Sequence, residues 1–466
     1  MLQFFRTYDP FRLLTVLLFL LALRLPLLLN VFFTDVPLLS PILDFMLIGE
    51  RVADGNAIYK EVFAGIAPFS AWFYAGLDLL FGRSTFGYAL VGTGLLFVQA
   101  IIFNTLLLRR DFLLDRGYVP AMLYVFFGSI SFDYLNISPV LLSLTFLLLV
   151  LREIFTLTEN THDQTLFTIG FYLGIATLFH LPSSIFLFWV SVGLGVFRST
   201  SFRQHLLVLF GFAFPILLLS LYFFWNESLI DFVVQYINSI SFAPKFYLSI
   251  QDFIIILAFP ILFLVLSILN MFSGRSLTNY QSYCRQMMIF WLVASSFSLL
   301  LCKYWLPFQF AFFLPPLAFF GTYYLFSIQR KWISELLFLS VLGGIALQLW
   351  ATRTTIFYPL DYTKAIVEKP SGFDLKNEKI WVFGENHSYY IDNKPVTPYL
   401  DWKLTQNRIE ELDNYQALLL FYNQIEKDKP HFIIDNEKQL PPLFERIPLL
   451  SEKYSTKDSL IYELKE

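Results

Sequence analysis

The sequence predicts a mainly α-helical, polytopic membrane protein: about 11 transmembrane helices, an outer juxtamembrane loop and a small C-terminal α/β domain. Three observations predict it. Of 466 residues, 56% are hydrophobic and only 15% charged, outside the range of soluble domains. The charges are uneven: residues 351–466 hold 34 of the 69 Asp, Glu, Lys and Arg, about 29% of that segment against about 10% of the rest. Before that tail, apolar runs long enough to cross about 30 Å of hydrocarbon recur along the chain. Domains are therefore expected at 1–350 (membrane) and 351–466 (water-soluble).

The runs lie near residues 11–32, 86–108, 117–132, 137–156, 165–180, 182–197, 205–225, 252–272, 284–302, 305–327 and 332–350. The first is Leu-rich, too long for a signal-peptide core and without a small-residue cleavage site, so it is expected to stay as an anchor. The segment 66–82, IAPFSAWFYAGLDLLFG, is also apolar but carries Asp78 and a leading proline. Charge decides its place. If it lies along the outer surface, Arg109–Arg110, Arg330–Lys331 and eight other basic residues fall on the cytoplasmic side, and only Arg51, Lys60, Arg83, Lys245 and Lys303 lie outside. Counting it as a crossing would put both basic pairs outside. The expected topology has the N-terminus inside and the tail outside, with the long loops 33–85 and 226–251 on the tail's face.

In the tail, KIWVFG (379–384), HFIID (431–435) and SLIYEL (459–464) have the pattern of strands, and YQALLLFYNQIEK (415–427) that of a helix. No GxGxxG follows the first strand, which argues against a nucleotide site. The net charge of −3 gives no electrostatic reason to expect nucleic acid as a partner. Cys284 and Cys302 sit at opposite ends of one run, roughly 27 Å apart on a helix, and cannot pair. The five histidines form no HxxxH or HExxH pair, so a zinc hydrolase is not expected.

The loop 33–85 carries Asp35, Asp44, Glu50, Asp54, Glu61 and Asp78 against few cations. Carboxylates at a membrane surface are costly to desolvate and suit a general base or a metal ligand, although any one of them also fits a solvated loop face. Glu50, Arg51 and Asp54 have the spacing of an exposed helical turn.

The run GERVADGNAIYKEVFAGIAPFSAWFYAGLDLLFGRS, with Gly55, Tyr59, Pro68 and Phe81–Gly82, resembles the first outer loop of the GT-C superfamily of polytopic glycosyltransferases. That class includes protein mannosyltransferases and lipid A aminoarabinose transferases. LCKYWLPFQFAFFLPPLAFF and the tail's strand pattern are similar to later parts of such proteins. The resemblance implies a polyprenyl-phosphate-linked sugar as donor and a lipid, glycan or protein acceptor, at the periplasmic face of a bacterial inner membrane. It also implies a first-loop carboxylate as general base. Asp44 is favoured over Asp35 for that role. Lys303, Lys60 and His180 are candidates for the leaving phosphate, and Tyr59 and Asp133 for substrate contact. Each has a plainer reading: Lys303 snorkelling to headgroups, His180 a hydrogen-bonded helix end, Asp133 a helix cap. A divalent cation held by loop acids together with phosphate stays open.

The chain also departs from that pattern. The paired Asp-Glu common in related bacterial proteins falls on Pro41–Ile42 here. A GT-C-like membrane subunit or scaffold without catalysis is therefore the alternative. A transporter is a third reading, weakened because Arg24 alone lies clearly inside an apolar run and no internal repeat is found.

Overall fold

In the computed structural model, residues 2–6, 9, 11–33, 38–108, 117–157, 162–198, 201–272, 278–351, 360–370, 375–396, 398, 400–410, 414–458 and 460–465 are described. The chain forms two compact units that cut across sequence order. One comprises Met1–Val36, Thr85–Ser220 and Ile240–Tyr362; the other comprises Pro37–Ser84, Leu221–Ser239 and Thr363–Glu466.

The first unit is helical. All eleven apolar runs contain helix, and among the described residues seven helices are long and apolar enough to cross a membrane. These are Phe11–Leu29, Thr85–Leu108, Pro139–Thr156, Phe202–Trp225, Ile250–Asn270, Pro307–Ser327 and Lys331–Leu349. The other four runs fall short for different reasons. The helix in 117–132 spans only Val119–Phe127, because Gly128 and the polar Ser129 and Ser131 follow it. Asp163–Phe179 and Phe186–Arg198 are short, and Asn279–Leu300 is long but rich in Ser, Gln and Tyr. Sixteen residues of continuous hydrophobic sequence thus do not guarantee sixteen residues of helix.

Exposed Phe210, Leu217, Ile254 and Leu262 suit a lipid-facing surface, while Trp189 and Trp291 pack ring to ring inside, 4.9 Å apart. Each indole donates to a helix carbonyl, Met287 and Phe312 respectively, so that burial leaves neither N–H unpaired. Arg24 is 1% exposed, and its guanidinium donates to Ser129 Oγ, Thr93 Oγ1 and the carbonyls of Gly128 and Tyr134. This charge inside an apolar run is a tie between helices, with its donors answered by the protein itself. Gly170 and Gly174 face the carbonyls of Val208 and Phe212 so closely that a Cβ would collide with the backbone; small residues here let two helices approach. Cys284 and Cys302 are both buried free thiols.

The second unit is α/β. Its five-stranded sheet runs in the order 394–395, 379–383, 432–435, 461–464, 454–458. The first three strands are parallel, and the last two join antiparallel. The strands expected from KIWVFG, HFIID and SLIYEL are present at Lys379–Phe383, Phe432–Asp435 and Ile461–Leu464, with the helix at Tyr415–Lys427. Trp381, Phe383, Ile433, Phe421, Ile425 and Leu440 form its core, and Phe63 of the first loop belongs to the same cluster. The first loop is further held by an antiparallel pairing of Leu38–Leu39 with Ile366–Val367 and by Phe63 N–H donating to Pro398 O at 2.8 Å.

Two helices of the loop, Ser40–Ala53 and Pro68–Phe81, pack at close range. A Cβ on Gly49 would lie 2.7 Å from the Tyr74 backbone. Pro68–Phe81 has 14 residues, about 21 Å, too short to cross hydrocarbon. Its proline sits in the first turn, where the missing N–H costs nothing.

Candidate active site

The helix Ser40–Ala53 begins with Pro41 in its first turn, and Leu39 supplies no side-chain cap. Ile42, Leu43, Phe45, Met46 and Leu47 are buried, and Asp44 is the half-exposed residue in that stretch, its side chain 34% accessible. Its carboxylate is paired with the Nδ1 of His387. His387 opens a 3-10 turn, His387–Tyr390, that follows the strand Lys379–Phe383. Gly384 makes the exit from that strand at φ +138°, a backbone conformation open to glycine.

The turn is held from several sides. Asn386 caps it by accepting from Ser388 N–H at 3.1 Å, and the Tyr390 hydroxyl accepts from Val382 N–H at 2.9 Å. Arg83 donates to the carbonyls of Tyr390 and Ile391 and pairs with Glu50. The expectation of an exposed, solvated Glu50–Arg51–Asp54 turn is therefore corrected. Glu50 and Arg51 are buried, Glu50 against Arg83, and Arg51 among Asp54, Asp428 and the Pro395 carbonyl. Burial and the nearby Glu50 raise the pKa of Asp78, on the helix opposite. Glu61 is held low, chiefly by the Ala57 amide and then by Lys427.

The remaining first-loop candidates lie in the same unit. Tyr59 is fully buried at φ 69°, rare for a bulky residue. Its hydroxyl donates to Ile66 O at 2.7 Å, Gln235 donates to its carbonyl, and its ring lies 5.4 Å from Phe223 and 5.6 Å from Phe232. These contacts replace the expected substrate role with a packing role: a side chain with no exposed surface and a committed hydroxyl is part of the core. Lys60 is exposed, and its ammonium donates to Asn226 O at 3.1 Å. Asp35 lies outside the described residues.

Asp133, His180 and Lys303 belong to the helical unit. Asp133 is wholly buried in the turn Phe132–Leu135; it accepts from Ser131 Oγ and, at 2.8 Å, from Phe308 N–H. That second bond caps the 3-10 turn Pro307–Phe313, whose own cap residue, Leu306, has no side-chain acceptor. Desolvation raises its pKa to about 6, offset in part by the bonds from Ser131 and Phe308. His180 ends the helix Asp163–Phe179, with Nε2 at 3.9 Å from Cys302 Sγ and its ring 5.8 Å from that of Phe312. Lys303 immediately precedes the short strand Tyr304–Trp305, and its carbonyl accepts from Lys245 N–H at 3.0 Å. Among the described residues no cluster of three or more His, Cys, Asp and Glu forms a metal centre.

His387 is the residue that sequence reasoning missed. It stands 343 positions from Asp44 and matches no metal or catalytic spacing. A histidine directly after a strand-ending glycine was the available signal.

Comparison with known proteins gives fold-level likeness. No family model matches the chain, and no curated protein matches it. Among solved structures it is similar to ArnT from Cupriavidus metallidurans bound to undecaprenyl phosphate, at 14% identity and TM-score 0.49, over 74% of this chain and 67% of that one. It is also similar to the archaeal oligosaccharyltransferase AglB from Archaeoglobus fulgidus in complex with an inhibitory peptide and a dolichol-phosphate. There the identity is 10% and the TM-score 0.48, over 97% of this chain and 74% of that one.

Proposed function

We propose that this integral membrane protein is a glycosyltransferase of the GT-C kind. It moves a sugar from a polyprenyl-phosphate donor to a lipid, glycan or protein acceptor by inverting displacement. The observation that carries the proposal is Asp44: a first-loop carboxylate left accessible on an otherwise buried helical stretch and fixed by a partner from the sheet. Such a group suits removal of a proton from an acceptor hydroxyl or amine. Lys303, placed where a chain segment leaves the helix Asn279–Leu300, is the proposed cation for the leaving phosphate, with Lys60 as a second candidate. The proposed location is a bacterial inner membrane, N-terminus cytoplasmic and tail periplasmic. The Cupriavidus neighbour and its bound lipid phosphate agree with this reading in kind.

The test is sugar transfer by purified protein in liposomes supplied with polyprenyl-phosphate sugars. Asp44→Asn is expected to lose roughly 100-fold or more of the rate while keeping its elution profile and thermal midpoint, and Lys303→Ala to raise the donor KM. One observation favours the alternative of a non-catalytic subunit in envelope assembly: Pro41 and Ile42, where related proteins carry their acid pair, are buried apolar positions. In that case neither substitution alters the cellular phenotype, and removing residues 351–466 does.

A further inference from the structure

We propose that His387 is the proton acceptor of the transfer step and that Asp44 acts through it, as the residue that orients the imidazole. This rests on the transferase reading above and names a second participant in the same site.

The argument is geometric. Asp44 and His387 come from a helix of the first loop and from a turn of the C-terminal sheet, yet one carboxylate oxygen meets Nδ1 directly. A carboxylate at Nδ1 selects the tautomer that carries its proton there and leaves the Nε2 lone pair as the basic position. The turn is built to hold that ring still. Asn386 caps it, Val382 N–H fixes Tyr390, and Arg83 pins the carbonyls of Tyr390 and Ile391. The His387 side chain is 11% accessible and Asp44 34%, so the pair is partly screened from water and still reachable.

The charged and titratable groups around the imidazole are Asp44, Tyr390 with its ring 5.6 Å away, and Arg83, which Glu50 matches. An imidazole also has an ordinary pKa nearer neutrality than a carboxylate, which makes it the better base at working pH.

The step balances simply. The acceptor oxygen or nitrogen forms a bond to the anomeric carbon as the bond from that carbon to the phosphate oxygen breaks. The bonding pair leaves with the polyprenyl phosphate. The acceptor's proton passes to His387 Nε2, and the imidazolium, paired with Asp44, later returns it to water.

The experiment compares wild type, His387→Asn, His387→Ala and Asp44→Asn in liposomes with the polyprenyl-phosphate sugar, measuring kcat, donor KM and the pH–rate profile. His387→Asn keeps an amide donor for Asp44 and so preserves the contact while removing the base. Both His387 variants are expected to lose roughly 100- to 10,000-fold in kcat with donor KM unchanged, and to lose the acid limb of the profile. Added imidazole is expected to restore part of the rate in His387→Ala and none in Asp44→Asn. A wild-type rate and profile in folded His387→Asn overturns the proposal and leaves the transferase reading standing. Absence of transfer by the wild-type protein from every donor tried overturns both.

Discussion

Asp133 shows how a buried acid can be spent on architecture. Its carboxylate caps a turn 175 residues away, and its raised pKa reports the cost of holding a charge there. Because its folded value, about 6, lies above its unfolded value, the folded state binds the extra proton between the two. Stability from this group is therefore fully present below about pH 4 and is lost as pH rises through about 6. Asp133→Asn is expected to flatten the thermal midpoint between those pH values and to leave it flat above; a midpoint–pH curve parallel to wild type would contradict this. Asp44 was legible as a candidate because an acid in an apolar loop is conspicuous. Its partner was not, since nothing in local sequence ties positions 44 and 387.

At the scale of elements, legibility followed the strength of the local pattern. Lys379–Phe383 and Phe432–Asp435 are apolar runs closed by Gly384 and by a polar stretch, and both stood out. The edge strands Lys394–Pro395 and Tyr454–Asp458 did not, one because it is two residues long and the other because YSTKD carries no apolar alternation. The run 117–132 was over-read because hydrophobicity continues past Gly128 while the helix does not. The first loop's pairing with Ile366–Val367 was beyond reach for a different reason: two-residue ladders are set by tertiary contact. Where helices meet, the constraint is steric. Gly49→Ala places a methyl against the Tyr74 backbone and is expected to destabilise the protein by about 1–3 kcal/mol, read as a lowered thermal midpoint in detergent. An unchanged midpoint would mean the two helices can separate at little cost.

For the whole molecule, composition alone fixed the class: apolar crossings followed by a charge-rich tail. The grouping of Pro37–Ser84 and Leu221–Ser239 with the tail was not readable from chain order, because it depends on contacts between segments far apart. Under the proposed topology, all three segments lie on one side of the membrane. In a background with Cys284→Ser and Cys302→Ser, Lys438→Cys is expected to react with an impermeant maleimide from outside intact cells, and Arg330→Cys only after permeabilisation. The reverse pattern would invert the topology. The central claim is transfer itself, and the most direct measurement is release of free polyprenyl phosphate from its sugar-linked form by the purified protein in liposomes. The account predicts release that depends on an acceptor and falls roughly 100-fold or more in folded Asp44→Asn. Release unaffected by that substitution, or none from a panel of donors and acceptors, would contradict it.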